Sequence, residues 1–128
     1  MKSSLFASLI VSASLLAPAA VHADGVTFVR GAFAAGSERD AATDEPALRA
    51  ARRIFYNFEL NNPGAPTTVN VRWTYDGRAL PPQSLDVGHS AHWRLWTIIP
   101  RRATGHTIEV TISDTAGASL HTERLELH

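Results

Sequence analysis

Four residues in one short segment have the side-chain chemistry of a serine hydrolase. Asp86, His89, Ser90 and His92 lie within seven positions of the chain. A catalytic triad is assembled from separated segments that aim a nucleophile at a base and at an oxyanion hole, and no glycine-framed nucleophile turn surrounds Ser90. We therefore interpret the segment as a polar loop that enters a strand, and we predict no catalytic residue.

The same segment offers two metal-ligand candidates, His89 and His92, with His106 or His121 as a third donor. Zinc and copper sites need three or four converging donors, and the other histidines fall on other predicted strands without ligand spacing. The preferred interpretation is a non-enzymatic protein without a metal or cofactor. The alternative function is a small metal-dependent or hydrolytic periplasmic enzyme that uses His89 and His92.

Residues 90–99 hold two of the three tryptophans and form the strand that would position these side chains. Successive side chains of a strand point to opposite faces, so Trp93 lies on one face while His92, Arg94 and Trp96 share the other. Because each face carries a tryptophan, the pattern predicts a central strand. One face would be covered, and the other would be partly covered or used for binding.

Residues 54–60 alternate in the same way, with Tyr56 and Phe58 on an apolar face and Phe55 and Glu59 on the other. We expect Glu59, like Glu109 on the outward face of a later predicted strand, to serve solubility. Phe55 and Trp96 therefore oppose the core faces of their strands. They either pack under a helix or a long loop, or form a recognition patch, since tryptophan, arginine and phenylalanine are enriched in binding hot spots. The predicted binding residues are His92, Arg94, Trp96 and Phe55.

The remaining elements define the fold class. About six to eight short strands separated by turns, with one short helix that starts near Asp44 and extends through two or three turns, predict an antiparallel immunoglobulin-like β-sandwich. Asp76 and Gly77 form a strong hairpin signal, because a type I′ turn needs a positive φ at both positions. Before that turn, Trp73 shares an apolar strand face with Val71 and Tyr75 and is predicted to be core.

The N-terminal segment predicts export. One lysine, an apolar run over residues 5–16 and small residues up to Ala23 are typical of a secretory signal peptide, residues 1–23. Residues 24–128 would then form a single β-domain, periplasmic or secreted, that does not span the membrane. The 12 basic residues match the 12 acidic ones, which gives no electrostatic case for nucleic acid. The expected partner is a protein or glycan of the cell envelope.

Six short blocks occur along the chain, at residues 33–36 (FAAG), 45–46 (EP), 56–60 (YNFEL), 73–77 (WTYDG), 93–96 (WRLW) and 114–120 (DTAGASL). In order and spacing the series resembles the bacterial domain of unknown function family numbered twenty-nine fourteen. Members of that family often have a histidine where this chain has Val71. The resemblance implies an exported or membrane-tethered β-domain and implies no catalytic residue.

Overall fold

The computed structural model describes residues 25–100 and 107–127, with the side chain of Pro100 excepted. The predicted signal peptide, residues 1–23, lies outside these ranges, as does His106. The described chain is mainly β, with one short helix. Its elements are β1 (Thr27–Ala34), α1 (Glu45–Ala50), β2 (Arg53–Asn62), β3 (Thr67–Tyr75), β4 (Arg78–Ala79), β5 (Gln83–Val87), β6 (Ser90–Pro100), β7 (Thr107–Ser113) and β8 (Ser119–Glu126).

The strands form two antiparallel sheets. One has three strands in the order β1-β2-β6, and the other has five, in the order β4-β3-β7-β8 with β5 also paired to β3. The predicted Asp76-Gly77 hairpin is confirmed, because the two residues have φ values of 50° and 82° and connect β3 to β4. The antiparallel, mainly β prediction is confirmed as well.

The inner faces of both sheets meet in one hydrophobic core. Trp73, predicted to be core, is 1% exposed, and its indole Nε1 donates to Thr97 Oγ1 of the other sheet at 3.0 Å. Tyr56 makes a second link, since its hydroxyl donates to Glu123 Oε1 at 2.7 Å. Burial and the neighbouring Glu123 carboxylate together raise the pKa of Tyr56 well above its usual range. The hydrogen bonds satisfy polar groups that would otherwise be costly to bury.

The predicted helix is present but shorter than expected. It spans six residues, with a proline in its first turn and Leu48 buried against the core. Arg53, which a helix of three turns from Asp44 would include, begins β2 instead. Arg53 is paired with Pro100 of β6, and this tertiary pairing overrides a helix preference that is weak by itself.

The prediction that residues 90–99 form a central strand is wrong. In the part of the chain that the structure describes, β6 pairs with β2 alone and is an edge strand of the three-stranded sheet. Its inner face is covered by β5, which belongs to the other sheet. Trp93 Nε1 donates to the carbonyl of Asp86 at 3.1 Å, and Thr97 Oγ1 donates to Gln83 Oε1 at 2.7 Å. A strand can therefore carry large side chains on both faces without lying in the middle of a sheet.

Candidate functional site

The outer face of the three-stranded sheet carries the predicted binding residues. Residues directly opposite each other on neighbouring strands project to the same side of a sheet. The register therefore arranges this face as three rows across β1, β2 and β6. These rows are Arg30–Glu59–Arg94, Ala32–Asn57–Trp96 and Ala34–Phe55–Ile98.

Glu59 is the ionic centre of the first row. Its side chain is only 13% exposed, His92 Nδ1 lies 2.5 Å from Oε2, and Arg30 Nε lies 3.6 Å from Oε1. The hydrogen bond from His92 holds the pKa of Glu59 below its ordinary value. Desolvation opposes this effect, and the positive charges of Arg30 and Arg39 add to it. Glu59 is thus an ionised carboxylate with basic groups around it.

The loop over residues 35–43 covers part of this face and is held in place by it. Asn57 Nδ2 donates to the carbonyl of Gly36 at 2.9 Å, and Arg94 Nη2 donates to the carbonyl of Ser37 at 2.6 Å. Within the loop, the Ala35 amide donates to the carbonyl of Ala42 at 2.9 Å. The sheet therefore positions the loop as a wall above the outer face.

Between the loop and the sheet lies a hollow of about 260 Å³. Ala32 and Ala34 of β1 line it with small side chains, which leaves room at its floor. Asn57 is also part of the lining, and its Oδ1 atom is buried without a hydrogen-bond partner in the described residues. The charged groups that line the hollow are Arg30, Arg39, Glu59 and Arg94. A ligand in this hollow would meet guanidinium donors, an amide and one carboxylate.

The two aromatic residues of the predicted patch have different surroundings. Trp96 is 46% exposed on β6. Phe55 is partly buried and lines a separate cavity together with Ala47 and Ala50 of α1. Of the two alternatives for these aromatics, packing beside the helix describes Phe55, whereas Trp96 presents its ring to solvent. Trp96 is consequently the aromatic residue that a ligand on this face can reach.

No protein-family model and no curated protein matches the chain. Within the described ranges, no helix is long and apolar enough to cross a membrane.

The sequence patterns placed His92, Arg94, Trp96 and Phe55 opposite the core faces of their strands, but of these four residues Arg94 alone lines the hollow. Glu59, which also lines the hollow, was interpreted as a solubility residue, and Arg30, Arg39 and Asn57 were not predicted to bind a ligand. The alternation of residues 54–60 did contain a signal, because it put Asn57 and Glu59 on the same side as Phe55. The contributions of Arg30 and Arg39 depend on which strand and loop are neighbours, and strand alternation does not specify neighbours.

The described side chains of the alternative enzyme hypothesis contact different groups and not one another. His89 Nδ1 is 2.9 Å from the carbonyl oxygen of Gly64, whereas the Nδ1 of His92 faces Glu59. Ser90 Oγ accepts a hydrogen bond from the backbone amide of His92. His121 is on β8, where its ring stacks on Phe28 with centroids 3.9 Å apart. Among residues 25–100 and 107–127, no three histidine or acidic side chains are grouped to share a metal ion.

Proposed function

We propose that the protein is an exported, non-enzymatic β-domain that binds a component of the cell envelope, a protein or a glycan, on the outer face of the three-stranded sheet. The observation that carries this proposal is the half-exposed ring of Trp96 beside a built polar hollow. Exposing a tryptophan forgoes the burial that its large apolar surface favours, so a ring kept at the surface next to hydrogen-bonding groups points to a ligand. The exported compartment and the resemblance to family twenty-nine fourteen belong to the same proposal and rest on the sequence.

We further propose that the two sheets form an immunoglobulin-like sandwich. The shared core and the links from Trp73 to Thr97 and from Tyr56 to Glu123 support this arrangement. In such folds the loops and the outer sheet faces are available to bind a ligand, because the inner faces are buried in the core.

Of the two partner classes, the surface favours a glycan. Stable protein interfaces bury about 800 Å² on each partner around an apolar centre. In the described residues, the large apolar side chains that are exposed are Val29 at 40% and Trp96 at 46%, which is too little for such a centre. The hollow is close to the lower end of the roughly 300–1,000 Å³ typical of small-ligand pockets.

The chemistry of the hollow also suits a sugar. A pyranose presents C–H groups on one side, and these pack on the electron-rich face of an aromatic ring. Its hydroxyls need donors and acceptors at the same time, and the hollow offers both, because guanidinium groups donate and the Glu59 carboxylate accepts. Trp96 is on the row next to Glu59 and Arg94, so one ligand could use the ring and the polar groups together.

The test is binding of the purified protein to isolated envelope glycans, compared between wild type and Trp96→Ala. Truncating a binding hot spot typically costs about 2 kcal/mol or more, so we expect a loss of affinity of roughly thirtyfold. The matched control is Val29→Ala, which removes an apolar side chain of similar exposure that lies outside the three rows of the outer face. Equal binding by wild type and both variants would contradict this site. Capture of an envelope protein through Trp96, without any glycan, would favour the other partner class.

A further inference from the structure

We propose that the hollow binds an anionic group of the glycan, a carboxylate or a sulfate, so that the ligand is an acidic glycan. This inference rests on the proposed function and names the substrate class of the same site. It starts from the charge of the lining. Three arginines, Arg30, Arg39 and Arg94, line the hollow together with a single carboxylate, Glu59.

The carboxylate of Glu59 engages only part of the hydrogen-bonding capacity of the arginines. Glu59 Oε2 is paired with His92, and its other oxygen is 3.6 Å from Arg30 Nε. A guanidinium group has five N–H donors, so this contact engages a small part of what Arg30 can donate. The side chain of Arg30 is 71% exposed, which leaves its outer end accessible from solvent.

Arg94 and Arg39 have different relations to the loop. Arg94 donates to the carbonyl of Ser37, so it positions the loop as well as contributing charge. Arg39 lies on the loop itself, is exposed, and is close enough to Glu59 to lower the pKa of that carboxyl. The acidic residues of the same loop, Glu38 and Asp40, are not part of the lining. Arginines therefore enter the hollow from the sheet and from the loop, and one carboxylate faces them.

An oxyanion is the ligand group that matches this arrangement. Guanidinium groups bind carboxylates and other oxyanions through paired N–H donors, and these charge-assisted bonds are about twice as strong as neutral ones. A neutral sugar would leave the excess positive charge of the lining uncompensated, whereas a carboxylate or a sulfate would neutralise part of it.

The experiment uses the purified protein and three sets of immobilised oligosaccharides at equal density, neutral, uronate-containing and sulfated. We expect retention of an acidic set with little retention of the neutral one. Methyl esterification of a retained uronate should weaken binding about tenfold or more, because it removes the negative charge that strengthens the hydrogen bonds from the arginines. The stronger of the two acidic sets identifies the oxyanion as a carboxylate or a sulfate.

Two arginine variants separate a specific site from general charge attraction. Arg39→Gln should lower affinity for the acidic set about tenfold. Arg72→Gln removes the same charge from an exposed position on β3, in the other sheet, and should change affinity little. Equal binding of neutral and acidic sugars, or equal losses in the two variants, would overturn the acidic-glycan inference while the proposed function stands. Failure of all three sugar sets would overturn the inference and, with it, the glycan as the partner class of the proposed function.

Discussion

The two sheets differ in what their outer faces present. On the five-stranded sheet, threonines and charged residues alternate outward, as in the row Thr74–Glu109–Arg124. The neighbouring row contains Thr111 and Thr122, whose hydroxyl oxygens are 3.2 Å apart. This face holds a hollow of about 160 Å³, smaller than the hollow on the three-stranded sheet. The outer face of the three-stranded sheet instead combines an exposed tryptophan, an ionic row and a covering loop.

Glu59 and Glu109 show what the difference means. Both occupy outward positions of an alternating strand, and the sequence assigns them the same role. Glu109 lies between Thr74 and Arg124, but Glu59 lies between two arginines and also contacts His92. Alternation therefore predicts which side of a sheet a residue faces. The residues on neighbouring strands decide whether that side is an ordinary solvated surface or a candidate binding site.

The largest expected effect is the difference in stability between a tryptophan truncation on the inner face and one on the outer face. Trp73→Ala should lower the free energy of unfolding by ~3–5 kcal/mol, because it removes a large buried side chain and leaves a cavity. It also removes the indole donor to Thr97. Trp96→Ala, at a half-exposed position, should cost on the order of 1 kcal/mol. Urea unfolding of the two variants measures the gap, and similar losses would show that the outer face is part of the core.

A smaller effect is expected where the floor of the hollow meets the core. A Cβ atom on Gly31 would collide with the hydroxyl of Tyr56 and come within 2.9 Å of the Phe28 ring. Gly31→Ala should therefore destabilise the protein by ~1–3 kcal/mol, as overpacking does. The control is Ala32→Val, which adds more bulk one residue later but on the exposed side. Thermal melting of both should show the glycine variant melting lower, and the reverse order would mean that β1 is turned over.

The smallest effect concerns acid stability. Because the pKa of Glu59 in the folded protein lies below its ordinary value, the ionised carboxylate stabilises the fold at neutral pH. This contribution is lost as the pH falls through the folded-state pKa. The difference in urea midpoint between wild type and Glu59→Gln should therefore be largest near pH 7 and shrink progressively below about pH 4.3, the usual glutamate pKa.

His92 provides the internal check on this acid effect, since its hydrogen bond is the largest cause of the lowered pKa. In a His92→Ala background, the further change Glu59→Gln should shift the urea midpoint by less, and that shift should depend less on pH. A shift that keeps its full size without His92 would assign the effect to the arginines instead. That outcome would make the ionic row, rather than the histidine, the feature that distinguishes this outer face.

Features that depend on near neighbours in the chain follow from the sequence alone. Alternation put Trp73 inward and Trp96 outward, and turn chemistry located the Asp76-Gly77 hairpin, because both signals depend on backbone geometry within a few residues. The other features required tertiary packing. It put β6 at a sheet edge, laid the 35–43 loop over the outer face and brought Arg30 and Arg39 to Glu59. Those contacts join residues far apart in the chain, and strand order is set by the packing of the whole core rather than by any local pattern.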